Sequence, residues 1–374
     1  LAHWRQTMAS EQAPVPPSTP RRVPRGVADL PFRETPPATA AAPPADLAGF
    51  KPKRRVSGDV AVLPHPAPLP LGEGRGEGER KGSPPLTRGR RAPPDERGAR
   101  PPLTRRLIVN ADDFGRSHSI NQAVIRAHRE GILTTASLMV NGDAFAEAVE
   151  LAKQNPALGV GLHLTLICGK ATCGGMEIPD LVNARGEFSN SPVATGTRYF
   201  FDHGLRLQLA REIGAQFAKF KATGLPLDHV NGHLNLHLHP TVFEMLASRY
   251  QEWGIRHLRI TDDPFALNRK LAGGKWVYRT SHAFIFNRLA RRARRILARS
   301  EIRFTDHVFG LLQNARVDET IIRKLLPALP RGSSELYSHP SLDKFRHEFD
   351  ALVSPRVKAL VAEQNIQLIR YQDL

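Results

Sequence analysis

From Leu107 onward, short apolar runs alternate with longer stretches whose apolar residues recur every three to four positions. Leu107-Ile-Val-Asn110 reads as a buried strand ending at polar Asp112 and Asp113, and Ser119 to Glu130 as a helix stopped by Gly131. A second strand follows at about Thr134 to Val140. Next comes a helix from about Asp143 to Gln154, ended by Asn155-Pro156 because the residue before a proline avoids the α region. Val160 to Leu166 reads as the third strand. After a Gly-, Pro- and Asn-rich excursion, Leu209, Ile213, Phe217 and Phe220 mark a helix from about Leu205 to Thr223.

The alternation continues to the end of the chain. Strands are predicted at Leu227 to Val230, His257 to Ile260, Phe304 to Phe309, Glu335 to Ser338 and Gln367 to Tyr371. Helices are predicted at Pro240 to Trp253, Asp318 to Leu326 and Lys344 to Glu363. About eight strands separated by helices imply a parallel α/β sheet, and the expected fold is a TIM-like (β/α) barrel.

Residues 1–102 break this texture. The first hundred positions hold 19 of the 31 prolines, with Pro64, Pro66, Pro68 and Pro70 followed by a Gly/Glu/Arg stretch from Leu71 to Arg80. Such a segment buries too little apolar surface to offset its ordering entropy. It is expected to be a disordered Pro/Gly/Arg-rich extension, arising either as a flexible tail or, since Leu1 opens the chain, from an over-extended reading frame. The folded domain is then 103–374.

The net charge of +17 is not confined to that extension. Residues 1–100 carry 17 Lys and Arg against 10 Asp and Glu, so more than half of the excess lies in the domain. A nucleic-acid partner is not expected, because the basic segments lack stacking aromatics and any recognition-helix signature. Cys168 and Cys173 alone make neither a disulfide framework nor a structural zinc site, which fits a reduced, cytosolic setting. No apolar run of about 18 residues suggests a membrane span.

Polar residues cluster where ligands of α/β barrels gather, at the C-terminal ends of strands. Asp112 and Asp113 end the first strand, His163 lies in the third, His233 follows the fourth, and His339 follows Glu335 to Ser338. Each has a bland reading alone: a strand histidine is more often a hydrogen-bonded core residue, and Asp-Asp a helix cap. Together they suggest a divalent metal held by one carboxylate and two imidazoles, with open positions for water and substrate. The second carboxylate would serve as general base and an opposed histidine as acid, a set suited to amide hydrolysis. Within Asn231-Gly-His233-Leu-Asn-Leu-His237-Leu-His239-Pro240, His233 is assigned to the metal, His237 to the substrate pocket or the ligands' surroundings, and His239 to a helix start.

The stretches Leu107-Ile-Val-Asn-Ala-Asp112-Asp113-Phe-Gly115, Gly161-Leu-His163-Leu, Asn231-Gly-His233 and Ser338-His339-Pro340 together resemble the YdjC-like carbohydrate deacetylases over residues 105–374. The resemblance implies a TIM-like barrel that removes acetate from N-acetylated sugars such as chitooligosaccharides. It implies Asp112 as base, Asp113, His163 and His233 as metal ligands and His339 as acid, with magnesium the expected ion and zinc the alternative. Asn231 and His237 are expected at the sugar. Many relatives carry Asp at position 231, a difference that softens ligand basicity. The stretches Ala127 to Val140 and Asp306 to Leu311 resemble the hopanoid-biosynthesis-associated (HpnK) branch, which implies an N-acetylglucosaminyl hopanoid substrate.

A basic amphipathic stretch adds an independent hint. Arg288, Arg291, Arg292, Arg294, Arg295 and Arg299 interleave with Phe284, Ile285, Leu289, Ile296 and Leu297 at near-helical spacing. Such a helix can lie on an anionic membrane, although a solvated basic face packed on the barrel has the same pattern. Arg288, Arg291, Arg292 and Arg295 are the expected membrane contacts, at the inner face of the membrane. The alternatives are deacetylation of soluble chitooligosaccharides, or a metal-dependent amidase or phosphoesterase acting on a non-sugar substrate.

Overall fold

Strand β1 (Arg105–Phe114) begins two residues before its apolar stretch and runs one residue beyond the aspartates at which the sequence pattern ends it. The computed structural model describes residues 104–271 and 273–374, so the expected disordered extension lies outside the described residues. β1 is flanked by β2 (Thr135–Leu138) and β6 (Gly332–Ser338), with β3 (Gly159–Leu164), β4 (Val230–Gly232), β5 (His307–Phe309) and β7 (Ile366–Leu368) completing seven strands among the described residues. The order is β4-β3-β2-β1-β6-β5, every ladder is parallel, and β7 pairs with the first residues of β1. The sheet forms a half-barrel of α/β class. The predicted His257 to Ile260 strand is present only as isolated parallel bridges, Val230 with Leu258 and His257 with Arg303.

The helices are α1 (His118–Glu130), α2 (Phe145–Lys153), α3 (Pro192–Phe201), α4 (Leu205–Lys221), α5 (Pro240–Ser248), α6 (Phe265–Leu271), α7 (Trp276–Leu297), α8 (Glu319–Leu325), α9 (Arg346–Val353) and α10 (Pro355–Glu363). Ser117 caps α1 by accepting from the Ile120 N–H, and Gly131 ends it. The single helix expected over Lys344 to Glu363 is two, because Pro355 lacks an N–H to continue α9; Ser354 instead caps α10 through the Val357 N–H.

Alternation along β1 decides what lies on each face. Leu107, Val109 and Ala111 join the large apolar core, which includes α1 residues, while Ile108 packs with Ile369 and Tyr371. The face carrying Ile108 also presents Asn110 and Asp112, and it meets Thr135, Ser137, Arg259 and Glu335. All six of these polar residues are buried. Dry polar groups of this kind are tolerated only when paired.

Candidate metal centre and active site

A bulge in β1 builds the centre. Its register with β2 shifts between Ala111 and Phe114, and Asp113 sits in the left-handed region at φ 65°. Regular alternation would send adjacent side chains to opposite faces; the bulge lets both carboxylates reach buried polar partners around one site.

Asp113 is buried against two imidazoles. Its Oδ1 lies 3.2 Å from His163 Nε2 and 2.9 Å from His233 Nδ1, and its Oδ2 accepts from Arg116 Nη1 at 3.0 Å. Burial opposes its ionisation, but His233, His163 and Arg116 hold the carboxyl well below the usual carboxylate range. One potential ligand atom from each of Asp113, His163 and His233 lies within 4.8 Å of the others. His233 Nε2 is buried without a hydrogen-bond partner. One carboxylate and two imidazoles with an unspent nitrogen fit a divalent cation.

His163 stands in β3, where alternation places it above Gly161. Its Nδ1 lies 2.7 Å from Asn231 Oδ1. A carbonyl oxygen can only accept, so Nδ1 carries the proton and Nε2 is directed at Asp113. Burial disfavours charge on this ring, yet Asp112 and Asp113 together raise its pKa.

Asp112 has a different shell. Arg259 Nη1 donates to its Oδ2 at 2.8 Å and Nη2 to its Oδ1 at 2.9 Å, while Asn110 and Asn231 donate to Oδ1 at 2.8 and 3.3 Å. Burial pushes the carboxyl up, but the Arg259 charge and His163 outweigh it and keep Asp112 ionised. His339 follows β6 and is partly exposed, with Nε2 4.0 Å from Asp112 Oδ2. Its backbone N–H donates to buried Glu348 on α9 at 2.5 Å.

Asn231 and His237, both expected at the sugar, are fully buried. The Asn231 amide is spent on His163, Asp112 and Ser137, so it sits between Asp112 and His163 instead of facing an open pocket. His237 Nε2–H donates to the Arg259 carbonyl at 3.0 Å, and burial drives its pKa down to about 3. His239 is the N-cap residue of α5, and its Nε2–H donates to the Gly196 carbonyl at 3.0 Å.

Sequence reasoning missed Arg259, Glu335 and Glu348. Arg259 joins Asp112 to Glu335, which accepts from Arg259 Nε and Nη2 at 3.0 and 2.6 Å, and the guanidinium lies 4.3 Å from the Tyr337 ring. The available signal was a charged residue inside an otherwise apolar predicted strand, Leu258-Arg259-Ile260, and another opening the Glu335 to Ser338 strand.

Along α7, Arg288, Arg291 and Arg295 are exposed, while Arg292 is half-buried and pairs with Glu244 of α5. Val277, Phe284 and Ile285 are also exposed. Spacings of seven, four, three and four residues put Val277, Phe284, Arg288, Arg291 and Arg295 on one stripe. The opposite side is tied to the centre: Ala283 and Phe286 pack on the cluster that contains Tyr337, whose ring meets His339 at 5.9 Å. Among the described residues, no helix is long and apolar enough to cross a membrane.

Residues 106–363 match the family described as YdjC-like protein. A chitooligosaccharide deacetylase of Serratia marcescens is 31% identical over 282 residues, covering 72% of this chain and 98% of that protein. A carbohydrate deacetylase of Brevibacillus brevis is 39% identical over 153 residues, a match spanning 40% of this chain and 57% of the relative. A solved protein of Enterococcus faecalis V583 shares the fold, with a TM-score of 0.55 at 22% identity over 72% of this chain and 98% of its own. The bulged Asp112-Asp113 pair, the two histidines beside it and a family match across most of the described domain lead to one assignment: the chain belongs to the YdjC-like protein family.

Proposed function

We propose that this protein is a metal-dependent N-deacetylase of N-acetylated sugars. The observation that carries the reading is the convergence of Asp113, His163 and His233 within 4.8 Å, beside a separate ionised carboxylate, Asp112. The relatives named carbohydrate and chitooligosaccharide deacetylases supply the substrate class.

Asp113, His163 and His233 would hold the ion, which when bound supplies a Lewis acid for the acetyl carbonyl and lowers the pKa of water. Magnesium is the family expectation and two imidazoles equally suit zinc, so restoration with each ion after chelation separates them. Asp112, held deprotonated by Arg259, accepts a proton from the attacking water as its oxygen bonds to the carbonyl carbon. His339, approaching Asp112 from the exposed side, donates a proton to the nitrogen as the C–N bond breaks, releasing acetate and the amino sugar. Arg259 keeps Asp112 from swinging toward the metal ligands.

For the substrate, we propose the sugar head of a membrane lipid, an N-acetylglucosaminyl hopanoid. The support is the α7 stripe, apolar at Val277 and Phe284 and basic at Arg288, Arg291 and Arg295, on a helix whose inner side packs beside Tyr337 and so near His339. Such a face suits an anionic bilayer surface. Soluble chitooligosaccharides are the second reading, favoured by the Serratia relative.

Acetate release from N-acetylglucosaminyl lipid and from chitobiose, measured side by side, tests both. Release from neither, with metal bound, removes the deacetylase reading. Co-sedimentation with phosphatidylglycerol vesicles tests the docking face: it should drop in the triple variant Arg288→Glu, Arg291→Glu, Arg295→Glu, and an unchanged bound fraction removes it.

A further inference from the structure

Beneath Asp112 lies a second set of chemically suggestive residues. Ser137 Oγ on β2 is 2.9 Å from His229 Nε2, and His229 Nδ1 is 2.9 Å from Asp228 Oδ2. These are the residue types of a nucleophilic triad, but all three are buried, with relative exposures of 0%, 1% and 2%. No acyl group reaches this serine.

Its hydroxyl faces inward to the active carboxylate. Ser137 Oγ accepts from Asn231 Nδ2 at 2.8 Å and from Asn110 Nδ2 at 3.0 Å, and the same two nitrogens donate to Asp112 Oδ1. Ser137 Oγ also lies 3.3 Å from Asn110 Oδ1, but that oxygen already accepts the Thr135 hydroxyl at 2.8 Å, so the shorter 2.9 Å contact with His229 Nε2 is taken as the path of the Ser137 proton. A carboxylate at Asp228 takes the Nδ1 proton of His229, which leaves Nε2 as acceptor of the Ser137 hydroxyl proton. The two Ser137 lone pairs then receive one N–H from each amide, and the second N–H of each amide points at Asp112. That orientation also turns Asn231 Oδ1 toward His163 Nδ1, which places a proton on Nδ1 and directs Nε2 at Asp113.

Surrounding structure is shaped around the path. A Cβ at Gly161 would lie 2.5 Å from His229 ring atoms, and one at Gly159 would lie 2.8 Å from Asp228 Cγ, so these two β3 positions leave the room. Tyr371 stacks on His229 with ring centres 4.5 Å apart while its hydroxyl bonds Glu335, and the Gln372 N–H donates to Asp228 Oδ1 at 3.1 Å. The residues at 371 and 372 therefore brace both supports of Asp112, the arginine side through Glu335 and the amide side through His229.

We propose that Asp228, His229 and Ser137 form a positioning relay that fixes the amide orientations of Asn110 and Asn231, and through them the aim of Asp112 and the ligating tautomer of His163. The inference rests on the reading of Asp112 as base and His163 as ligand. It acts through hydrogen-bond direction rather than through charge transfer.

Asp228→Asn separates direction from shape. Its amide can still accept from Gln372, but it donates to His229 Nδ1, forcing the proton onto Nε2 and reversing Ser137. The expected result is a kcat lowered about tenfold to a hundredfold with KM unchanged, and a similarly weakened affinity for zinc titrated into chelator-treated protein. Ser137→Ala should give the same pair of losses. The double variant should lose no more than the worse single one, because the relay is cut once. Wild-type kcat and zinc affinity in both folded single variants, or independent additive losses, would overturn the relay. Should Asp228→Asn fail to fold, Ser137→Ala alone decides by the same two readouts. A failure of the base reading looks different: Asp112→Asn would stay active, while the relay's effect on zinc affinity would persist.

Discussion

Arg259 stands between Asp112 and Glu335 and holds a carboxylate on each side, at 2.8 and 2.9 Å on one and 2.6 and 3.0 Å on the other. All three side chains are almost completely buried. Removing the one cation leaves two buried anions facing each other, and breaking a buried pair in this way costs about 3–5 kcal/mol. Arg259→Leu should therefore unfold at markedly lower denaturant. Arg259→Lys should recover little, because an ammonium cannot bridge two carboxylates as a planar fork does. Equilibrium unfolding of the two variants checks both statements, and a midpoint for Arg259→Leu equal to wild type would refute the bridge.

Asp112→Asn keeps the shape of the side chain and removes its proton-accepting charge. The expected outcome is a kcat lower by about 10²–10⁴ with the metal still bound. Acetate release paired with metal analysis of the same sample reads it.

Metal removal should abolish turnover, and add-back should restore it in wild type. His233→Ala should not be restored at the same ion concentration, since it deletes the nitrogen that has no other buried partner. The comparison is a metal titration of activity after chelation. Equal restoration of variant and wild type would exclude His233 as a ligand.

Asp263 gives a pH signature. Burial pushes its carboxyl up to about 7 despite donation from the Leu312 N–H at 2.9 Å and from Asn268. The folded state thus keeps a proton that the unfolded chain releases above its ordinary value of 3.8. Stability from this group is full below that value, declines as pH rises through the interval, and is gone above about 7. His237, driven down to about 3, contributes the opposite slope from about 3 up to its ordinary 6.5, so the informative quantity is a difference. Unfolding free energies across this range should fall less with rising pH in Asp263→Asn than in wild type. Parallel curves would show that Asp263 does not titrate there.

Much of the centre was legible because its residues interrupt apolar runs at strand ends. Asp112 and Asp113 follow the Leu107-Ile-Val run, His163 lies between two leucines, His233 precedes Leu234, and His339 directly follows a predicted strand. What stayed hidden depends on through-space pairing. Nothing near Arg259 in sequence names Asp112, 147 residues away, as its partner. Ser137 and Asp228 sit in segments that read as ordinary strands, and their polar interior setting emerges only when β2, β3 and β4 lie side by side. The strand expected at His257 to Ile260 reduces to bridges, since the local pattern of apolar residues specifies burial but not how many ladder bonds a segment makes.

The β1 bulge has a mechanical meaning as well. Because Asp112 and Asp113, the proposed base and ligand, are consecutive residues, their Cα atoms are held about 3.8 Å apart by one peptide unit. Breathing of the strands can move the histidines relative to one another, but it cannot stretch that link. Thermal motion should therefore blur the distances to His163, His233 and His339 well before it loosens the spacing between the two aspartates, so heat-induced loss of activity would start at the histidine side of the centre.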